Sequence, residues 1–384
     1  MKTPLAWHNL LHSKMRTATA VAGVTFAVML IFMQTGFLGM AAQTSGMIYD
    51  ALDFDLVVRS RQYRRLSDAA TIARSRLYTV ASTRGVASVA AVHVAPGQWR
   101  NPVTGRKRMI LTIGVQPGSR VFKLAEIQHK ADLLETPEFV LIDRKSRAEF
   151  GPANGVRFGN GDLGAESEVA RRTVRIVGTF SLGAGFESDG AILLDERGFL
   201  RIHPERTSQE ASLGLIKLSG DAQAESVTAR LQSALPPDVQ VLARADVLGF
   251  ERNLWVREMP VGIMFQFGVA VALIVGTAIV YQVLSSDVAN HMGEYATLKA
   301  IGYGSGYLCS VVLQQAIALA LLGFLPGLAI AEALYCVTER MTNLPISMNA
   351  GRIVLVLTLS LVMCIVSGLA AVRKVRRADP ADLF

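Results

Sequence analysis

The sequence is poor in cysteine, and its long central part has none. The three cysteines of the 384-residue chain, Cys309, Cys336 and Cys364, all lie in or beside apolar segments near the C-terminal end. Residues 41–259 therefore cannot be held together by disulfide bonds, even in an oxidising compartment. This part of the chain must fold around an ordinary hydrophobic core.

Motifs that bind or hydrolyse nucleotides are also missing. The chain has no G-x-x-x-x-G-K-[ST] sequence, and Gly302, Gly304 and Gly306 neither follow a strand nor fit G-x-G-x-x-G. It has no H-E-x-x-H, paired C-x-x-C or G-x-S-x-G motif. His8 and His12 have metal-ligand spacing, but no carboxylate or cysteine completes a set nearby, which favours the polar edge of an interfacial helix. We predict no catalytic, cofactor-binding or metal site, so ATP-driven work would require a second chain.

Charged residues are scarce, and several long stretches of the sequence contain none. Charged residues make up 18% of the chain and hydrophobic residues 51%. The runs without charge cover residues 17–49, 259–286, 300–331 and 353–372. Each has at least the ~20 residues that a helix needs to cross a ~30 Å hydrocarbon core. The first has the flanks of a secretory signal, but its apolar core is too long for one, which favours a membrane span. We predict an α-helical membrane protein with four transmembrane helices, at residues 17–40, 260–284, 308–336 and 351–372.

The basic residues near these spans predict the topology. Eight Lys and Arg lie in residues 1–16, 285–307 and 373–384, whereas the short loop 337–350 has only Arg340. Because basic residues favour the cytoplasmic side, both termini are predicted to be cytoplasmic. The cytoplasmic segments are then an interfacial helix, a coupling helix with its loop, and a basic tail. About half of the net charge of +8 belongs to these segments, so no nucleic-acid partner is predicted.

Residues 41–259 mix strand and helix patterns. Residues 53–60 and 109–117 are typical of strands, and a strand–helix–strand unit is predicted around the helical pattern at 221–235. Such units cover a sheet with helices, which predicts a large extracytoplasmic α+β domain with two lobes. Residues 244–258 are predicted to be a helix that continues straight into the second span, with Trp255 as an anchor in the membrane interface.

The third span contains two glycines four residues apart. Gly323 and Gly327 flank Pro326 in the sequence GFLPG. Small residues at this spacing allow another helix to approach closely, and the proline can kink its own helix. We predict a structural role for all three.

The sequence GEYATLKAIGYGSGYL, residues 293–308, separates the second and third spans. From Asp287 onward, apolar residues recur at intervals of three and four, which predicts one apolar face of a helix. This face consists of Val288, Met292, Tyr295, Leu298 and Ile301. Glycines at 302, 304 and 306 follow and predict a sharp return into the membrane. The segment is either a connector on the headgroups or a surface that a soluble motor pushes.

The sequence GEYATLKAIGYG resembles the E-x-x-x-L-[KR]-A-[IL]-G signature of FtsX/MacB-type (type VII) ABC transporter permeases. The C-terminal VRKVRRADPADLF is similar to the basic tail of that family. In residues 41–259, DFDLVVRSRQYRRL, LIDRKSRAEFG and GTFSLGAGFESDGAILLD resemble the DevC-like branch. The resemblance extends over nearly the whole chain.

This resemblance implies a permease subunit with four spans and a MacB-like periplasmic domain, located in a bacterial inner membrane. It implies a homodimer, a separate cytoplasmic ABC ATPase that binds the ATP, and no cofactor on this chain. Further implied partners are a periplasmic membrane-fusion protein, a TolC-like outer-membrane channel and membrane lipids, in a tripartite efflux system that exports a lipid, glycolipid or other amphiphile. The residues implied to contact the ATPase are Val288, His291, Met292, Glu294, Tyr295, Leu298 and Lys299, and those of the return turn are Gly302, Gly304 and Gly306.

Two other functions remain open. An FtsX-like mechanotransmitter would use the same spans to regulate a periplasmic enzyme without moving a substrate. An autonomous membrane sensor would need neither an ATPase nor a fusion protein. A neighbouring gene for a fusion protein would favour export, and one for a cell-wall hydrolase would favour regulation.

Overall fold

The computed structural model describes residues 14–152, 157–294, 297, 301–342 and 344–377. Most of the predicted interfacial helix and basic tail, and Tyr295, Leu298 and Lys299 of the coupling segment, lie outside these residues. The chain divides into two compact units. One, the membrane unit, contains residues 1–40, 259–341 and 345–384, and the other, the α+β domain, contains residues 41–258 and 342–344.

The helices are numbered along the chain. Among the described residues, the α-helices are α1 (Lys14–Thr44), α2 (Met47–Ala51), α3 (Arg74–Ala81), α4 (Ala125–Gln128), α5 (Glu196–Ile202), α6 (Ala224–Ala234), α7 (Arg244–Asn253), α8 (Pro260–Asn290), α9 (Ser305–Thr342) and α10 (Ala350–Arg377). Short 3-10 helices cover Ala131–Leu134, Ala148–Phe150 and Asn160–Asp162, and a π-helix covers Leu254–Glu258.

Four of the described helices, α1, α8, α9 and α10, are long and apolar enough to cross a membrane. The prediction of four transmembrane helices with a large α+β domain is therefore confirmed. The helices are longer than the predicted spans. For example, α8 has 31 residues, which at 1.5 Å per residue is about 46 Å, more than the ~30 Å hydrocarbon core. Their ends therefore extend beyond the apolar layer.

The predicted close approach at the two glycines of α9 is confirmed. A Cβ added at Gly323 would lie 2.5 Å from Val24 Cγ1, and one added at Gly327 would lie 2.7 Å from Val28 Cγ1. The Thr25 hydroxyl of α1 donates a hydrogen bond to the Gly323 carbonyl at 3.2 Å. Only glycine therefore fits between α1 and α9 at these two positions. Pro326 lies inside α9 without ending it.

Side-chain hydrogen bonds to backbone carbonyls connect other pairs of membrane helices. The Ser367 hydroxyl of α10 donates to the Thr277 carbonyl of α8 at 2.9 Å, and the Tyr335 hydroxyl of α9 donates to the Phe32 carbonyl of α1. Both hydroxyl-bearing residues are buried. Polar bonds of this kind stabilise helix contacts where water is absent.

The α+β domain contains a mixed sheet. Its described strands are β1 (Leu56–Ser60), β2 (Ile72–Ala73), β3 (Val86–Arg100), β4 (Lys107–Val115), β5 (Phe139–Asp143), β6 (Glu166–Val169), β7 (Arg172–Phe180), β8 (Ala191–Asp195), β9 (Glu210–Ala211), β10 (Leu213–Leu218) and β11 (Val239–Ala243). Nine of these form one sheet in the order β11-β1-β10-β3-β4-β8-β5-β7-β6, and β2 pairs with β9. The predicted strand–helix–strand unit is present as β10, α6 and β11.

Alternating residues of the strands belong to different hydrophobic clusters. On β1, Val57 faces a cluster that also contains Tyr49 and Val94. Its neighbours Leu56 and Val58 face the opposite side, in a cluster with α3 and α6. The same opposite side carries a separate cluster farther along the sheet, against Phe199 of α5. One face of the sheet therefore packs against one continuous hydrophobic cluster, and the other face packs against two separate clusters.

Two predictions about the segment before the second span are wrong. Residues 244–258 do not continue straight into α8, because Met259 has an extended backbone with ψ 141°. Pro260 explains this break, since proline disfavours the helical conformation in the residue before it. Trp255 is not a membrane-interface anchor. It is buried and stacks on Phe186, with ring centroids 6.0 Å apart.

The glycine contacts generate a prediction. Gly323→Leu should destabilise the full chain, because overpacking a close helix contact costs about 1–3 kcal/mol. The measurement is the apparent melting temperature in uncharged detergent. Ala329→Leu is the matched control, since Ala329 is an exposed position on the same helix. Equal melting temperatures for the two variants would contradict the packing described for α1 and α9.

Candidate coupling site

The candidate site is the segment between the second and third membrane helices. Helix α8 ends at Asn290, and His291 follows as a turn residue with φ −98° and ψ 15°. Residues 292–294 and 297 are helical again, and the Ile301 amide donates to the Thr297 carbonyl at 3.0 Å. A short helix separated from α8 therefore replaces the single helix that was predicted from Asp287 onward.

The structure corrects the prediction for Val288. This residue belongs to the last turns of α8 and is 2% exposed, in contact with a cluster that contains Val312 and Val372. Met292 is half-buried against the same cluster. Because Val288 is buried among α8, α9 and α10, it supports the site from inside and is not available to an ATPase.

The exposed part of the segment begins after Met292. Glu294 is exposed, and so are Ile301 and Tyr303. Gly302 has φ 104°, in the left-handed region that favours glycine, and the turn it makes separates the short helix from α9. Gly304 accepts a hydrogen bond from the Tyr307 amide, and Gly306 already lies in the first turn of α9. Of the three predicted turn glycines, Gly302 has the backbone conformation that requires glycine.

A buried carboxylate lies at the base of the segment. Asp287 of α8 is 7% exposed, and its Oδ2 accepts a hydrogen bond from Gln315 Nε2 of α9 at 3.0 Å. Its Oδ1 is 3.8 Å from an Arg16 guanidinium nitrogen of α1 and 3.5 Å from His291 Nδ1. Three membrane helices and the turn at His291 therefore meet at one carboxylate.

Sequence reasoning missed this cluster. In the sequence, Asp287 marks only the start of the apolar repeat of the coupling segment. A signal was present, because Gln314 and Gln315 interrupt an otherwise apolar run, and polar residues within spans usually have polar partners. The partner of Gln315 is 28 positions away in the sequence and belongs to another helix. Only the packing of the helices identifies it.

The α+β domain contains two buried histidines. The His93 imidazole is 3.1 Å from a Glu196 carboxylate oxygen that also pairs with Arg74. The His203 Nε2 is 2.8 Å from the Thr112 hydroxyl. Burial lowers the pKa of both histidines below the usual value, which favours their neutral forms. Within the part of the chain that the structure describes, no three His, Cys, Asp or Glu side chains come together as a metal site would require.

The comparisons with known proteins support a permease. Residues 267–380, which include the coupling segment, match the model of the family described as FtsX-like permease C-terminal. No curated protein matches the chain.

Two solved structures are similar to about half of the chain. The periplasmic region of MacB from Actinobacillus actinomycetemcomitans is 14% identical, with 54% of this chain and 96% of that chain covered and a TM-score of 0.36. The extracellular domain of the noncanonic ABC-type transporter YknZ from Gram-positive bacteria is 15% identical, with coverages of 49% and 98% and a TM-score of 0.33. Both TM-scores are below 0.5, and the fold of the α+β domain is defined by its own strand order.

The Asp287 cluster generates a second prediction. Asp287→Ala should lower the stability of the full chain by about 1–3 kcal/mol, because the buried Gln315 Nε2 donor loses its acceptor. Asp287→Asn keeps an acceptor oxygen and should cost less. The apparent melting temperature in detergent measures both effects.

Glu294→Ala is the matched control, since it removes an exposed acid from the same segment. The prediction fails if Asp287→Ala and Glu294→Ala melt at the same temperature.

Proposed function

We propose that the chain is the permease subunit of an ABC exporter, driven by a separate cytoplasmic ATPase. The observation that carries this proposal is the match to an FtsX-like permease over residues 267–380, a range that includes the coupling segment with its exposed residues Glu294, Thr297 and Ile301. The resemblance of GEYATLKAIGYG to the family signature supports an ATPase contact in that segment. The ATPase binds the ATP, and the permease itself catalyses no reaction.

The mechanism we propose is transmission of motion. Closure of the ATPase displaces the short helix that carries Glu294, and the buried cluster around Asp287 transfers the displacement to α1, α8 and α9. Helix α8 is covalently continuous with the α+β domain through Met259 and Pro260. Because the glycines of α9 pack tightly on α1, these helices move as a unit. Their displacement alters the conformation of the α+β domain on the far side of the membrane.

The contact surface consists of two kinds of residue. Glu294 and Lys299 supply polar contacts to the ATPase, and Tyr295 and Leu298 supply apolar packing. His291 and the half-buried Met292 support the short helix from the membrane side. Contact with an ATPase requires the coupling segment to be exposed to solvent. Its described residues Glu294, Thr297 and Ile301 are exposed.

The exported substrate is proposed to be a lipid, glycolipid or other amphiphile. On this proposal two copies of the chain form a dimer in a bacterial inner membrane, with both termini in the cytoplasm. The α+β domain delivers substrate to a periplasmic fusion protein and a TolC-like outer-membrane channel. The resemblance to the DevC-like branch supports these partners.

A mechanotransmitter is the second candidate. The same contacts would transmit motion to a periplasmic enzyme, and the FtsX-like match favours this function as directly as it favours export. Purification of the chain in mild detergent distinguishes the two, because a fusion protein should accompany an exporter and a cell-wall hydrolase should accompany a regulator.

The coupling surface generates a third prediction. Glu294→Lys should weaken docking of the ATPase about tenfold or more, because it reverses a charge in a charge-assisted hydrogen bond worth about 1.5–3 kcal/mol. Leu298→Asp should have a similar effect through lost apolar contact. The measurement is stimulation of ATP hydrolysis when the purified ATPase is added to permease in nanodiscs.

Asn290→Ala is the control, since Asn290 is exposed at the end of α8 and lies off the apolar face. All three variants should insert normally because the changes lie outside the spans. If both Glu294→Lys and Leu298→Asp permeases stimulate ATP hydrolysis fully, the segment is only a connector and the proposed mechanism is wrong.

A further inference from the structure

The loop between β7 and β8, residues 181–190, has the sequence SLGAGFESDG and is named the glycine loop here. Two other segments of the α+β domain are those through which the chain enters and leaves it. The entry segment is residues 44–51, which contain the end of α1 and all of α2. The exit segment is residues 244–258, which contain α7 and the π-helix.

Two glycines of the loop lie against the entry segment. Gly183 has φ 120°, in the left-handed region that favours glycine, and a Cβ added there would lie 3.0 Å from Met47 Sδ. A Cβ added at Gly185 would lie 2.8 Å from Thr44 Cβ. Any larger residue at position 185 would require Thr44 or the loop to move. The glycine loop is therefore closely packed on the entry segment.

The next two residues of the glycine loop contact other parts of the domain. The Phe186 ring stacks on the ring of Trp255 in the exit segment, with centroids 6.0 Å apart and 28° between the ring planes. Trp255 is buried, so this stack is shielded from water. Glu187 Oε1 accepts a hydrogen bond from the Ser67 amide, in the loop after β1, at 2.5 Å. One short loop therefore contacts both the entry and the exit segment.

The entry and exit segments also contact each other. A Cβ added at Gly46 of the entry segment would lie 2.6 Å from Leu248 Cδ2 of α7. Tyr63, in the loop after β1, connects the same two segments through its hydroxyl group. This hydroxyl donates to Glu251 Oε1 at 2.6 Å and lies 2.9 Å from the Tyr49 hydroxyl. The two segments therefore pack together, and the glycine loop lies against both.

A buried carboxylate holds the first residues of the glycine loop on the sheet. Asp143, the last residue of β5, is completely buried. Its Oδ1 accepts a hydrogen bond from the Leu182 amide at 3.0 Å, and its Oδ2 accepts one from the Gly183 amide at 2.8 Å. Amide bonds to a carboxylate are stronger than those to a neutral acceptor. Gly183 therefore contacts Met47 of the entry segment and, through its amide, is bound to β5.

We propose that the glycine loop couples the entry and exit segments to β5, so that a displacement of either segment shifts this strand. Strand β5 lies inside the sheet, between β8 and β7, so a shift there reaches strands on both sides. Close-packed contacts transmit a displacement because they are hardly compressible. The coupling is a property of the α+β domain. Its use in export rests on the proposed function, in which α1 and α8 displace the two segments through the covalent chain.

The coupling is tested by hydrogen exchange of the full chain in nanodiscs without an ATPase. Trp255→Leu keeps an apolar side chain in the exit segment but removes the stack on Phe186. An aromatic pair contributes enough to change local opening about 2- to 12-fold. We expect the amides of Leu182 and Gly183, which bond to Asp143, to exchange faster by about this factor. Exchange in β10 is the internal reference, because loosening of the whole domain would raise it as well.

A double-mutant cycle separates coupling from simple loosening. Phe186→Leu should accelerate exchange of the same two amides, and Trp255→Leu should add little in the Phe186→Leu background, because both changes remove one contact. Tyr78→Leu is the matched control, since Tyr78 is an aromatic residue of the same domain with 69% of its surface exposed. This control should leave exchange of the two amides unchanged.

A second experiment adds the ATPase that co-purifies with the chain, together with ATP. On the proposed function, ATP changes exchange in the exit segment of both the unmodified chain and Phe186→Leu. The change in residues 139–146, which contain β5, should be at least twofold smaller in Phe186→Leu. An exit segment that does not respond to ATP would contradict the proposed function, while the cycle without the ATPase still decides the coupling.

Three results would overturn the coupling. The first is equal exchange of the Leu182 and Gly183 amides in Trp255→Leu and Tyr78→Leu. The second is full additivity of Trp255→Leu and Phe186→Leu, which would mean that the two rings act independently. The third is an ATP-induced change in residues 139–146 that is as large in Phe186→Leu as in the unmodified chain.

Discussion

A hydrocarbon core offers no water to polar groups, and this constraint determines how the membrane unit is built. Each long helix satisfies its backbone hydrogen bonds internally. Because lipid tails are as apolar as the side chains, the hydrophobic effect contributes little to packing one helix against another. Contact therefore depends on glycines such as Gly323 and Gly327, where Val24 and Val28 fill the space of the missing side chains. A few hydroxyl groups, such as that of Ser367, add bonds to a neighbouring backbone.

The same constraint explains why Asp287 matters. A carboxylate at the end of an apolar bundle needs partners, and it finds Gln315 and Arg16 on two other helices and His291 at the following turn. The cluster lies directly before the exposed segment that carries Glu294. On the proposed mechanism, a force applied there reaches three helices through one buried group. This arrangement favours the proposed transmission of motion over a simple connector. It is consistent with the FtsX-like match over residues 267–380.

Much of the architecture could be predicted because it depends on local composition. Long apolar runs specify membrane helices whatever surrounds them, and the strand–helix–strand pattern of residues 213–243 is equally local. Contacts between distant residues could not be predicted, which is why the partners of Asp287 and the burial of Val288 were missed. Trp255 was misassigned because tryptophan suits both a membrane interface and a core contact such as that with Phe186. The break at Met259 was foreseeable, since Pro260 restricts the residue before it.

Transmission of motion from the coupling segment to the α+β domain is the central claim. Hydrogen exchange of the full chain in nanodiscs, with the co-purifying ATPase and with or without ATP, tests it most directly. The account predicts that ATP changes amide exchange in residues 287–307 and also in residues 244–258, which lead into α8. A change confined to residues 287–307 would contradict transmission, because the motor would then bind the permease without moving its α+β domain.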